Sequence, residues 1–461
     1  MRTLGTLIFM AALLLAGSAL ASTIHVPDDE PTIAAGLAAA TSSDTVLVAC
    51  GEYYEHGLVL PAGVTLRGDH QGVCVWLWGE NQGRLISGTI LTPASRVENF
   101  GFFFGDAGDT GANGGGLSFS EGTIEVRDCW FFGNQCDYKG GALALQDCVG
   151  LVERCAFTAN EGEHGGGGAL SAIGGELTLR DCTFESNRGI DGGAIILASC
   201  APLIERCLFY DNDALFWGGA VMLNGNAAPI LRNCTLARND AYQGGGLWGC
   251  SDSAPVLENC IVAFNTDGAG LFAYPDPQHP TVIGVNCCDV YGNVGGGYGG
   301  DLADQTGLNG NFATDPRFCD LNGTGGEYPS FGLAADSPCL PEHNGCGVLI
   351  GARDEECEIP TAVPVPAAGR VALLPNRPNP FNPSTELRFA LAEPGRVTLT
   401  VHDLSGRRQR ALLEAAPCPA GEQRLVWDGR NDAGEALPSG VYLLRLEAAG
   451  QTLSRKVTLL K

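Results

Sequence analysis

Through the middle of the chain, apolar and polar positions alternate in short runs, and each run ends at a turn residue. Leu177-x-Leu179, a two-residue corner and Cys182-x-Phe184 alternate with the period of a β-strand. Asn187 follows as a turn residue, then a glycine cluster, then another apolar strand. The unit returns about every 26 residues. Its marker reads Cys129…Phe131…Asn134, Cys155…Phe157…Asn160, Cys182…Phe184…Asn187 and Cys207…Phe209…Asn212. With smaller apolar residues it continues as Cys234…Leu236…Asn239, Cys260…Val262…Asn265 and Cys288…Val290…Asn293. Between the markers stand glycine clusters such as Gly140-Gly-Ala-Leu143, Gly167-Gly-Ala-Leu170, Gly192-Gly-Ala-Ile195 and Gly218-Gly-Ala-Val221. A fixed period of this size means one structural turn per repeat. Three short strands and three corners in 25–28 residues predict an all-β fold, a right-handed parallel β-helix solenoid. A repeat of helices is excluded, because no run keeps a helical period and glycine is too frequent.

Stacking has consequences for single residue types. Like residues of successive coils lie ~4.8 Å apart. The Asn column then forms a ladder of side-chain hydrogen bonds at one corner, and glycine supplies positive φ at another. Seven of the 19 cysteines occupy the repeat position, facing inward beside the Phe column. Parallel Cβ vectors keep neighbouring Cβ atoms near the same ~4.8 Å, too far for normal disulfide geometry. The column therefore reads as unpaired thiols acting as small hydrophobes. No Cys-x-x-Cys pair is present, so no metal site is expected. Cys319, Cys339, Cys346 and Cys357 lie in an irregular Gly- and Pro-rich stretch, where disulfides are expected in an exported protein.

Export is read from the first residues. Arg2 precedes the apolar run Leu7–Ala16, and Ala19-Leu20-Ala21 supplies a small-x-small cleavage site. The run is short for a membrane span, so residues 1–21 read as a signal peptide. Residues 31–40 read as a short apolar helix that covers the open end of the coil stack, residues 45–48 and 64–66 as the first strands. The solenoid is assigned to 22–358, a Pro-rich linker to 359–369 and a separate domain to 370–461. Charge supports the division. Residues 1–369 hold 14 Lys/Arg against 43 Asp/Glu, while residues 370–461 hold 13 against 9. The acidic part argues against nucleic acid or an anionic membrane as partner. It permits Ca²⁺ at turn carboxylates, although no local Ca²⁺ loop motif is present; no other cofactor is expected.

The opening Ile24-His-Val-Pro-Asp28, Asp44-Thr-Val-Leu-Val48 and Gly51-Glu-Tyr-Tyr-Glu55 resembles the start of bacterial pectin-lyase-like β-helix proteins. The Gly-Gly-Ala and Phe-x-x-Asn pairing is similar to the repeats of chlamydial polymorphic outer-membrane adhesins. Asp315-Pro-Arg-Phe318 and Ser337-Pro-Cys339 resemble the irregular closing segment of such helices. This architecture carries lyases, hydrolases, adhesins and passive stalks, so it does not fix an activity. At the other end stand Asn376-Arg-Pro-Asn-Pro-Phe381, Val397–Arg407, Trp427-Asp-Gly-Arg-Asn431 and Ser439–Arg445. They resemble the C-terminal sorting domain of type IX secretion substrates, or the related immunoglobulin-like domain of flagellar hook-capping proteins. Physically this reads as a small antiparallel β-sandwich with a Trp in its core. The resemblance implies export to the outer-membrane cell surface, with the secretion and attachment machinery as partner.

The corner between each Asn and the next glycine cluster varies, and chemistry concentrates at such positions. It holds Tyr138-Lys139, Glu163-His164, Asp191, Phe216-Trp217 and Tyr242-Gln243, which stacked coils set in a lateral stripe. Tyr138, His164, Trp217 and Tyr242 are the expected ligand-binding residues, since aromatic faces stack on sugar rings. For catalysis the candidates are Lys139, Glu163 and Asp191. Lys139 is the one lysine before the C-terminal domain, and carboxylates on neighbouring coils suit acid and base or nucleophile. The alternative is a row of solvated loop tips. No phosphate loop, Ser-His-Asp grouping, HExxH or nucleic-acid module is present. The expected function is binding or adhesion to an extracellular polysaccharide or a host or cell-surface glycan. The alternatives are a polysaccharide lyase or glycoside hydrolase on the same face, and a passive surface spacer.

Overall fold

Each coil of the solenoid turns on residues that leave the ordinary backbone regions. In the coil beginning at Gly192, Ile195–Ala198 is a strand, Leu203–Glu205 a second, Leu208–Tyr210 a third and Asp213–Trp217 a fourth. Arg206 takes φ 49° and Asp211 φ 54°, so a single left-handed residue makes each of two bends. The bends stand immediately before Cys207 and Asn212. The same two positions are left-handed in successive coils, at Asp128, Arg154 and Asp181 and again at Gly133, Ala159 and Ser186. Left-handed backbone costs a non-glycine residue energy. Inter-coil hydrogen bonds offset it: Asp181 N–H donates to Glu205 O at 3.0 Å and Arg206 N–H to Arg232 O at 3.0 Å. A glycine makes the third bend, Gly192 and Gly218 having φ 69° and 66°.

The computed structural model describes residues 21–70, 73–108, 113–163, 165–321, 329–354, 371–377, 381, 384–391, 394–403, 407–419, 421–438 and 440–459. The coils form a parallel β-solenoid of about ten turns. Its strands build one sheet of two segments per coil, a second sheet of ten strands and a third of five. The first sheet thus contributes two of the four strands in a coil, one more than the three expected from the repeat. Register is direct: Phe131 lies beside Phe157, Phe157 beside Phe184 and Phe184 beside Phe209. Those rings stack with centroids 4.7 Å apart and planes within 5°. The seven repeat cysteines are buried and free. Desolvation pushes the Cys155, Cys207, Cys234 and Cys288 thiols well above the usual range.

The Asn ladder is complete from Asn134 to Asn293. Asn160 Nδ2 donates to Asn187 Oδ1 at 2.9 Å, Asn187 to Asn212 at 2.9 Å and Asn212 to Asn239 at 2.8 Å. Each amide also donates to the carbonyl of the Phe-column residue of the preceding coil, as Asn187 does to Phe157 O at 2.9 Å and Asn265 to Leu236 O at 3.3 Å. From Asn160 onward each Oδ1 accepts in addition the backbone N–H of the preceding Asn, as Asn187 Oδ1 does from Asn160 N–H at 3.0 Å, while Asn134 Oδ1 accepts the Gly105 N–H at 2.9 Å.

At the N-terminal end, a helix over Ile33–Ala39 buries Ile33, Gly36 and Leu37. A Cβ on Gly36 would meet Val26 and Val46 at 3.0 Å, so the helix approaches the strands closely. Glu55 accepts the Ile33 and Ala34 N–H groups at 2.9 Å, and Thr32 caps Ala35, satisfying first-turn donors. The first strand is Thr23–Val26, one strand earlier than expected, paired in register with Thr45–Val48. Its alternation is only four residues long, and its partner identifies it better than its own pattern does. The leader read over residues 1–21 lies outside the described residues apart from Ala21, and the linker at 359–369 lies wholly outside them.

By contacts, one unit comprises the chain to Pro316 with Ser337–Asp354, and the second Arg317–Asp336 with the residues after 354. In the second unit Val371–Arg377, Thr385–Leu391 and Gly421–Trp427 form an antiparallel sheet. Arg408–Cys418, Gly395–His402, Gly440–Ala448 and Gln451–Leu459 form another. Fully buried Trp427 packs between Phe381 and Tyr442, with centroids at 5.1 and 5.8 Å. Cys418 packs at the margin of this core as a half-buried thiol. The expected disulfides of the closing stretch differ in part. Cys346 bonds to Cys287 of the solenoid, Cys319 is also bonded, and Cys339 is a buried free thiol; Cys357 lies outside the described residues.

Candidate functional site

The variable corner is built by the third sheet and the glycine bend that follows it. Its strands are Gln135–Cys136, Glu161–Gly162, Arg188–Asp191, Asp213–Trp217 and Asp240–Gln243. Asp191 is the register partner of Trp217, and Trp217 of Gln243. The residue before each glycine bend therefore runs Lys139, Gly166, Asp191, Trp217, Gln243 over five coils. Gly165 and Gly166 leave one coil without side chains there. The Tyr138 ring and the Lys139 stem lie over it: a Cβ on Gly165 would meet them at 3.3 and 3.1 Å. Lys139 Nζ stands 5.3 Å from the Tyr138 ring centroid, a cation–π contact.

Trp217 does not stand alone. Its ring stacks on Trp248, centroids 5.1 Å apart and planes at 14°, and Trp248 leads on to Tyr274 at 5.6 Å. Trp248 belongs to the strand after the glycine bend, Leu247–Gly249. There Ile195 and Leu197 point into the main core, and the residue between them points outward. The outward positions in register are Ile196, Met222, Trp248 and Phe272. With Cys250 they form a second, separate apolar cluster, against which Trp217 packs. Their sequence signal is the doubling of apolar residues, as in Ile195-Ile196, Val221-Met222 and Leu247-Trp248, where alternation predicts a polar second residue.

Polar atoms at this cluster lack partners. Trp248 is 3% exposed, and its Nε1–H makes no hydrogen bond. Asp191 Oδ1 and Thr281 Oγ1 are also buried without one. Desolvation raises the Asp191 carboxyl above the usual carboxylate range, while the charge of Lys139 pulls it down. Lys139 and Asp191 make no ion pair. Burial raises the Cys250 thiol, the Ser251 hydroxyl hydrogen-bonded to it at 3.2 Å opposes this, and the Asp191 and Asp276 carboxylates push it further up. On the loop after Tyr274, His279 Nδ1 lies 2.8 Å from Asp252 Oδ2, and that carboxylate raises the histidine.

The structure thus brings Tyr138, Lys139, Asp191 and Trp217 to one lateral strip and adds Trp248 and Tyr274, which the repeat pattern did not mark. Glu163 is exposed, its N–H donating to Cys136 O at 3.0 Å. Tyr242 is 68% exposed on the outer side of the third sheet and makes no ring contact among the described residues. His164 lies outside the described residues. An aromatic row beside a carboxylate and an amine can stack on sugar rings and hydrogen-bond their hydroxyls.

Residues 115–245 and, overlapping them, 153–312 match the family model of the right handed beta helix region. Residues 381–452 match that of the FlgD Ig-like domain. No curated protein matches the chain.

Proposed function

We propose that this right-handed β-helix protein, with its FlgD-like Ig domain, is exported and binds an extended carbohydrate along the strip from Lys139 to Tyr274. The observation that carries the reading is half-buried Trp217, held by stacking on buried Trp248 and flanked by exposed Phe216 and by Tyr274, which Trp248 also contacts. A ring fixed in this way offers its remaining face to a sugar without a further loss of side-chain freedom. The exposed faces of Phe216 and Tyr274 extend the stacking surface beside it. Successive coils repeat every ~4.8 Å, a spacing suited to an extended chain of sugar units. Attachment to the cell surface through the C-terminal domain fits this role and rests on the resemblance of residues 376–461 to sorting domains.

Retention of the full chain on immobilised polysaccharides tests the reading, with the length of the recovered sugar recorded in the same experiment. Trp217→Ala with Tyr274→Ala is expected to weaken retention about tenfold or more, as loss of ~1.4 kcal/mol of stacking implies. Retention unchanged in that variant removes the strip as the binding face. A second reading, cleavage by a lyase or hydrolase, is favoured by one observation: Asp191 is a desolvated carboxyl with a free oxygen, beside the amine of Lys139. Shortened sugar chains, lost in Asp191→Asn or Lys139→Ala, would establish it.

A further inference from the structure

Near the N-terminal end of the solenoid, Cys50, His70 and Cys74 converge. The parallel pairing Gly51↔Val75 sets the two cysteines side by side on adjacent coils, Cα atoms 4.9 Å apart, and they are disulfide-bonded. His70 precedes Cys74 by four residues. One donor atom from each of the three residues lies within 4.8 Å of the others. Asp69 Oδ2 stands 3.7 Å from His70 Nδ1, within ion-pair range but beyond hydrogen-bond length. Both cysteines lie nearer the surface than the repeat column: Cys50 and His70 are exposed and Cys74 is half-buried.

We propose that these three residues are a metal site closed by oxidation: once the disulfide is reduced, two thiolates and one imidazole hold a divalent ion of the Zn²⁺ class. A dithiol reductant takes up the disulfide's bond, becoming a cyclic disulfide itself and leaving Cys50 and Cys74 as thiols. Binding of the ion then displaces their two protons, and the two thiolates neutralise the ion's charge. Two sulfurs and one nitrogen suit Zn²⁺ and leave a fourth position for water. The spacing of 24 residues between the cysteines hides the site from a motif search. Among the described residues the other free cysteines are buried except for half-buried Cys418, and reduction also opens the Cys287–Cys346 and Cys319 bonds; the variant Cys50→Ser with Cys74→Ser keeps all of those thiols and so sets the background.

Co²⁺ titration of the full chain, reduced with dithiothreitol and desalted without oxygen, tests the site. The expected result is one thiolate-to-cobalt charge-transfer chromophore per chain, bleached by Zn²⁺, and none in the oxidised protein. Cys50→Ser with Cys74→Ser is expected to remove it. His70→Ala, which keeps the disulfide for folding, is expected to weaken Co²⁺ binding at least tenfold and to move its visible bands. A reduced wild type that titrates like the double serine variant overturns the site. So does a His70→Ala protein with unchanged affinity and spectrum.

Discussion

At the scale of the residue, two columns decide how the coils stack, and they work by different physics. The Phe column contributes apolar burial and stacking that tolerates replacement, since Leu236, Val262 and Val290 continue it. The Asn column tolerates less, because every member is donor and acceptor to its neighbours at once. Asn187→Ala would leave the Asn160 N–H and amide, the Phe157 carbonyl and the Asn212 Oδ1 short of partners inside the core. The expected cost is about 3 kcal/mol or more, read as a lower urea midpoint. Phe157→Leu, which keeps volume and removes no polar partner, should cost about half that or less. Equal losses in the two variants would reduce the ladder to filler. Both columns were legible in the sequence, because a fixed period reports position in the coil directly. The left-handed bends at Asp128, Arg154 and Arg206 were not, because glycine is the residue that announces positive φ and these positions hold charged side chains. Trp248 was hidden similarly: its doublet with Leu247 looks like ordinary core until the strand's register turns one of the pair outward.

At the scale of the element, the first sheet carries an order that composition conceals. Glu98, Arg127, Glu153, Arg180, Glu205, Arg232 and Glu258 occupy one register position through seven coils. Their signs alternate without exception. Glu153 lies 3.0 Å from Arg127 and 3.6 Å from Arg180, and Glu205 lies 3.1 Å from Arg180 and 3.2 Å from Arg232. Beside them Asp128 pairs with Arg154 and Asp181 with Arg206, both at 2.7 Å. Most arginines of a strongly acidic solenoid are spent in this way. Single exposed pairs contribute little, but here the inner acids Glu153 and Glu205 each face two bases, and a coil skipped in the stacking would set like charges opposite. Glu205→Gln should therefore cost under ~1 kcal/mol, and Glu205→Arg about 2 kcal/mol, with the difference shrinking in high salt. Equal urea midpoints for the two variants at low salt would mean that the ladder has no part in register. The pattern stood in the sequence as Arg-Asp, Glu-Arg, Arg-Asp and Glu-Arg before successive cysteines, but its meaning needed the parallel register to be known.

At the scale of the whole solenoid, stability depends on what closes the two ends, because an open coil exposes core and unpaired backbone. The helix at Ile33–Ala39 was legible as an apolar run and packs on the first strands. The C-terminal closure was marked only by the resemblance of Asp315–Phe318 and Ser337–Cys339 to a closing segment; its contacts were not legible, since it lacks periodicity and draws on distant residues. Asn311 takes the place after Cys288 in the cysteine column, its Oδ1 accepting the Cys288 N–H at 2.9 Å, and the chain then returns along the second sheet. On that return Ala352 N–H donates to Thr235 at 3.0 Å and Gly351 N–H to Asn259 O at 2.8 Å, and Cys346 is bonded to Cys287. Asp289 sits at the centre, fully buried, accepting from the Thr314 N–H at 3.0 Å and the Cys339 thiol at 3.4 Å. Desolvation pushes its carboxyl up to about 7 from an ordinary 3.8, the hydrogen bonds opposing it. A carboxyl raised in the folded state binds its proton there more tightly than in the unfolded chain. Its contribution is therefore complete below about pH 4, declines as pH rises, and is gone above about pH 7. The range is up to roughly 4 kcal/mol for this one group. Asp289→Asn keeps an acceptor for Thr314 and cannot ionise, so the variant should lose this component of the pH dependence and gain on the parent protein between pH 5 and 8. Urea midpoints of both proteins across that interval decide the matter: parallel curves would mean that Asp289 stays ionised throughout and that the closure owes its hold to the return segment and the Cys287–Cys346 bond.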